Sequence, residues 1–174
     1  MAVPFKTLVR RGRMLSGMMK PRIKVLTLAV EDLNRSLAFY RDGLGLRTDG
    51  VIGQEFEEGA VVFFELANDM ILALYPAASL SKDAKIVATK ARLGAVSIGH
   101  IVKSKHDVDA LVRDARRAKA VVTDPPKDRF WGGYSAYFHD PDGHLWEVAW
   151  NPAWTVADRA VECGVGLTEG AVTG

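Results

Sequence analysis

The sequence predicts an α+β fold: two βαβββ modules forming one curved mixed sheet, with helices on the outside. Three observations predict it. Strand and helix patterns run in the order β-α-β-β-β twice, over residues 22–76 and again over 96–152. The copies stay in step, since Val30 matches Val102 at an offset of 72, and Phe64 matches Phe138 and Ala73 matches Glu147 at 74. Each copy also closes with a tight hairpin. One such half leaves a sheet face uncovered, whereas two together can enclose a concave face.

The first module opens with a β-rich run, Arg22–Val30, and Asp32 or Asn34 is positioned to cap the helix that follows. Leu33, Leu37 and Tyr40 share a helical stripe over Leu33–Tyr40, and Gly43 and Gly45 end it. Strands are expected at Leu46–Ile52, Ala60–Leu66 and Met70–Tyr75, the last two joined by a turn at Ala67-Asn68-Asp69. Residues 77–95 are polar and poorly periodic, and read as a linker with a short helix at Lys82–Lys90.

The second module repeats the order. Val96–Lys103 is a strand, and His106–Lys119 is a helix with Val108, Leu111, Val112 and Ala115 on one face. Ala120–Thr123 is a strand that Asp124-Pro125-Pro126 breaks. Strands at Tyr134–His139 and His144–Trp150 flank Asp140-Pro141-Asp142-Gly143, which has type I turn chemistry. Alternation sends Trp146, Val148 and Trp150 to one face and Leu145, Glu147 and Ala149 to the other. Glu147 is then a carboxylate inside an apolar strand, costly unless paired, hydrogen-bonded or metal-bound.

The 174 residues suit one domain or two fused modules, and 48% hydrophobic with 25% charged residues describes a soluble globular chain. No apolar run is long enough to cross a bilayer, so no membrane partner is expected. The single cysteine, Cys163, excludes an internal disulfide and a Cys-based zinc cluster, and a cytoplasmic location is expected. A net charge of +2 does not argue for nucleic acid. That charge is uneven: residues 1–24 hold seven Lys and Arg and no acid, leaving residues 25–174 at −5. Residues 1–21 are read as a loose basic leader and 153–174 as a tail, with a short helix at Trp154–Val161.

Two stretches carry a family resemblance. Val25–Leu46, with its Val-Glu-Asp-Leu-Asn-Arg-Ser-Leu-Ala-Phe-Tyr core, resembles the opening module of the vicinal oxygen chelate superfamily, which includes glyoxalase I, bleomycin resistance proteins and extradiol dioxygenases. Tyr137–Glu147 is similar to its closing hairpin. The resemblance implies a concave cleft and, in metal-using members, four inward ligands on the first and fourth strands of each module. Those positions align with Val25, Ala73, Ser97 and Glu147. Only Glu147 is an ordinary ligand, so no metal and no cofactor are expected. His100 lies three residues beyond Ser97 and alternation puts it on the opposite face.

Glu147 can then be a general acid or base, an acceptor that orients a polar ligand, or a partner for Tyr134, Tyr137, Trp131 or an arginine. Trp131, beside Gly132-Gly133, and Tyr134 and Tyr137 are read as pocket walls. His139 and His144 are expected to face solvent beside the turn. The reading is a protein that binds a small organic molecule through Trp131, Tyr134, Tyr137 and Glu147, with Glu147 the one candidate catalytic residue. A lyase, isomerase or dioxygenase is the alternative, and the resemblance implies a homodimer.

Overall fold

The computed structural model describes residues 23–55, 59–86 and 96–154. The leader, the proposed tail helix beyond Trp154 and Cys163 lie outside the described residues. Two four-stranded mixed sheets form, rather than a single continuous one. The first contains β1 (Val25–Val30), β2 (Val51–Ile52), β3 (Val61–Glu65) and β4 (Ile71–Pro76), in the order β1-β4-β3-β2. The second contains β5 (Ser97–Val102), β6 (Val121–Asp128), β7 (Tyr134–His139) and β8 (Leu145–Trp150), in the order β5-β8-β7-β6. In each, the first strand pairs parallel to the last, and the remaining pairs are antiparallel.

Helices cover one face of each sheet. In the first module α1 (Leu33–Leu37) is capped by Asp32, whose side chain accepts from the Arg35 N–H. The helix does not end at Tyr40 but widens into a π-helix over Ala38–Gly43. The wider turn sends both Phe39 and Tyr40 into the core, where regular α spacing would have turned one of them outward. A helix over Ala77–Ala84, α2, follows β4 directly and occupies the first part of the expected linker; residues 87–90 of the helix expected at Lys82–Lys90 lie outside the described residues. Pro76 starts it and Lys85, in the left-handed region, stops it. Eight residues are too few to display a helical period. In the second module α3 (Lys105–Arg117) buries Val108, Val112 and Ala115.

Two strands depart from expectation. The second strand of module one is confined to Val51–Ile52. Conversely, β6 runs on through Pro125 and Pro126 to Asp128 instead of stopping at Thr123. It is an edge strand, and its register slips between Val122 and Asp124 and again between Asp124 and Lys127. Bulged edge positions need no N–H for the ladder, so proline is tolerated there.

One core joins the modules. Leu28, Val30, Phe39, Tyr40, Phe64, Leu72 and Leu74 from the first meet Phe138, Trp146, Val148 and the α3 residues from the second. Tyr40 packs on Phe64 at 5.8 Å and on Trp146 at 5.8 Å between ring centres. Gly43 lies so close to α3 that a Cβ there would come within 2.3 Å of the Ala118 Cβ.

Polar groups complete the junction, and they come from the Asp140–Gly143 turn. Gly143 takes φ of 91° and donates to the Asp140 carbonyl at 3.1 Å, as turn chemistry requires. The aspartates also reach across to module one. Asp140 accepts from the Tyr40 hydroxyl at 2.6 Å, while Tyr40 accepts from the Trp146 indole at 3.1 Å. Asp142 accepts from the Glu31 N–H, from Arg35 and from the buried Ser36 hydroxyl at the start of α1. His144 does not face solvent as expected: its Nδ1 is 2.8 Å from the Asp140 carboxylate and its side chain is 17% exposed. A buried carboxylate draws every available donor around it.

Candidate functional site

The opposite faces of both sheets are open. On module two the cross-strand register places Gly99, Glu147, Tyr137 and Asp124 in one row. Cross-strand partners point to the same side of a sheet, so Glu147 stands between Gly99 and Tyr137. On the Gly99 side, nothing lies within 4 Å of where a Cβ would be. On the other side burial raises the Tyr137 phenol above its ordinary value. A hydrogen bond to Glu147 and that carboxylate's charge add to the rise, and Arg129 pulls the other way.

Arg129 was not singled out by the sequence. Its guanidinium lies 5.5 Å from the Tyr137 ring centre. It donates to the Ser135 hydroxyl at 2.7 Å, to the Ser135 carbonyl at 3.0 Å and to Asp124 at 2.8 Å. Asp124 also pairs with Lys127 at 2.8 Å, and the two cations hold its carboxyl below the usual range. Ser135 is a buried anchor for this arginine.

Trp131 folds back along the same edge. Its ring fills the position of a Gly133 Cβ, with ring carbons 1.6 to 2.6 Å from it. Continuing the alternation of β7, that position is on the side of Ser135 and Tyr137. Glycine is therefore required at 133 by the indole. Trp131 keeps 41% of its surface exposed. Four residues separate Gly133 from Tyr137, about 13 Å along a strand, so Trp131 sits at the far end of the face.

Tyr134 does not join these residues. It lies three positions from Tyr137, so alternation turns it to the helix side, where it pairs with Trp150. Its hydroxyl donates to Asp109 on α3 at 3.0 Å. Burial and that bond raise its phenol above the ordinary value. The Lys105 ammonium lies 5.4 Å from its ring centre and 5.8 Å from that of Trp150. Tyr134 holds α3 to the sheet. His100 is likewise away from Glu147, paired with Val148.

The four family ligand positions fall into two equivalent pairs. Thr27 pairs with Ala73 as Gly99 pairs with Glu147, and Val25 and Ser97 each precede that row by two residues. Val25 and Ser97 are thus equivalent between the modules, as are Ala73 and Glu147. A divalent ion is held by several converging protein donors, three or four in zinc sites. These positions offer one carboxylate and one exposed serine hydroxyl. Among the described residues no three His, Cys, Asp or Glu side chains converge. This donor set does not fit a protein-held ion.

A groove of about 590 Å³ lies elsewhere, between the π-helix and the end of α3. Most of its charges already have partners: Arg35 pairs with Asp142, Asp42 with Arg41, and Arg117 with Asp114. The sheet face has the less satisfied chemistry and is the better candidate. Among the described residues no helix is long and apolar enough to cross a membrane.

Comparison with known proteins agrees with this architecture. A glyoxalase-related enzyme from Fulvimarina pelagi is 29% identical, with a TM-score of 0.70 over 80% of this chain and 94% of that one. A lactoylglutathione lyase from Agrobacterium tumefaciens is 26% identical, with a TM-score of 0.56 over 78% and 98%. The mitochondrial methylmalonyl-CoA epimerase of Mus musculus is 29% identical over 98 residues, 56% of this chain and 53% of its own length. The chain therefore spans about half the length of that curated relative. Residues 22–148 match the family model, and the chain belongs to the Glyoxalase/Bleomycin resistance protein/Dioxygenase superfamily.

Proposed function

We propose that the open face of module two binds a small organic molecule without a protein-held metal ion. The observation that carries this reading is the row Gly99–Glu147–Tyr137. A half-buried carboxylate stands at the one aligned position that carries an ordinary ligand, with a phenol on one side and open space on the other. Arg129 and Trp131 extend the face with a cation and an aromatic plane, the usual makings of a small-molecule site. Val25, Ile52 and Phe63 are exposed to 43%, 45% and 41% and favour closure by a second copy, hence a homodimer. One cysteine in the chain fits a reducing cytoplasm.

A second reading makes Glu147 a general base in a lyase or epimerase. It is favoured by the position of Glu147 in the row and by the activities that two of the relatives are named for. Elemental analysis of purified protein separates metal use from binding alone. The expected content is well below one divalent ion per chain. A full equivalent that disappears in Glu147→Ala would overturn the metal-free reading.

A further inference from the structure

Resting on the reading of this face as a binding site, we infer that its ligand presents a protonated amine or similar cationic donor to Glu147, seated over Gly99. Charge accounting carries the inference. On the β6–β7 side Lys127 and Arg129 are both taken by Asp124, and Lys103 at the end of β5 has an interaction of its own. Arg129 is further committed to Ser135 by two hydrogen bonds. Glu147 therefore has no cationic partner among the described residues. Tyr137 satisfies it from one side only, and a carboxylate has room for about four acceptor contacts.

The space supports the same assignment. Gly99 is the one position in the row without a side chain, and nothing lies within 4 Å of the site its Cβ would take. A ligand entering over Gly99 approaches Glu147 from the side opposite Tyr137. A carboxylate on that side suits an ammonium group better than an anion. An anionic ligand would face an unpaired carboxylate across this gap.

The test uses three ring-matched probes, benzylamine, benzyl alcohol and benzoate, titrated into the full chain at neutral pH and constant ionic strength. Two-dimensional NMR or calorimetry reads the affinity. Benzylamine is expected to bind at least about tenfold more tightly than benzoate, the scale of one charge-assisted hydrogen bond. Glu147→Gln should abolish that preference without loss of fold. Gly99→Val should weaken benzylamine while leaving thermal stability intact, since it fills the gap without touching the core. Equal or tighter benzoate binding, or a preference that survives Glu147→Gln, overturns the cation assignment and leaves the site itself standing. If none of the three probes perturbs residues of this face, the site fails and the assignment with it.

Discussion

The two modules carry the same row of positions and use it differently. In module one the row is Thr27, Ala73 and Phe63; in module two it is Gly99, Glu147 and Tyr137. The backbone register is identical, so the difference is chemical. Module one presents methyl groups and a phenyl ring, whereas module two presents a carboxylate, a phenol and a gap. The hairpins differ in the same way. Ala67-Asn68-Asp69 turns the chain in module one with its residues exposed, and Asn68 and Asp69 take positive φ. Asp140–Gly143 turns it in module two and also ties the modules together. A duplicated scaffold has kept its geometry in both halves and concentrated its polar chemistry in one.

The largest expected contrast is between the hairpins. Asp140→Ala leaves Tyr40 and His144 without their acceptor and should cost about 3 kcal/mol, the scale for breaking a buried charged network. Asp69→Ala removes an exposed turn side chain and should leave stability nearly unchanged. Urea denaturation of both variants makes the comparison, and equal midpoints would refute the clasp.

The next contrast transplants the row. Ala73 is only 2% exposed, and Phe63 beside it has no donor. Ala73→Glu should therefore cost about 2 kcal/mol through an unpaired, partly buried carboxylate. Adding Phe63→Tyr recreates the pair of module two and should recover about 1 kcal/mol of it. Additive losses in that double-mutant cycle would show that Tyr137 does nothing for Glu147.

Gly133→Ala should expel the Trp131 ring, because the new methyl would occupy the ring's position. A red shift and stronger quenching of indole emission are expected, with a stability loss of about 1 kcal/mol. Trp131→Phe carries the same packing without the signal and identifies its source.

The smallest effect is a pH dependence confined to module two. Burial alone would lower His144, but the hydrogen bond and charge of Asp140, helped by Asp142, raise it above its ordinary value. Its contribution is present below pH 6.5 and is lost as pH rises through the higher folded value. Burial would raise Asp140, yet bonds from His144 and Tyr40 hold it below its ordinary value. That contribution is present above pH 3.8 and fades as pH falls through the lower folded value. Thermal stability should peak in the weakly acidic range and fall by a few degrees towards pH 8. His144→Gln should flatten the alkaline side of the curve, and an unchanged slope would dismiss the histidine.

Alternation and order in the sequence were enough to find both modules, their hairpins and the face of Glu147. Alternation alone also separates Tyr134 from Tyr137, and grouping them by nearness in the chain ignored it. Arg129 and Ser135 were hidden for another reason. They meet across the short loop between β6 and β7, and the reach of a long side chain to a residue six positions on leaves no periodic signal. The aspartates of the turn were legible as turn residues, and that local explanation concealed their second use across the modules. Helix α2 escaped because eight residues display too little of a 3.6-residue period.

Strand β6 lies at the outer edge of its sheet with Pro125 and Pro126 in the middle. A bare edge invites another chain to extend the sheet, and each proline removes a donor that such an extension would need. The register shifts before and across the prolines further spoil the ladder. Growth into strand-sharing fibres is blocked at this margin.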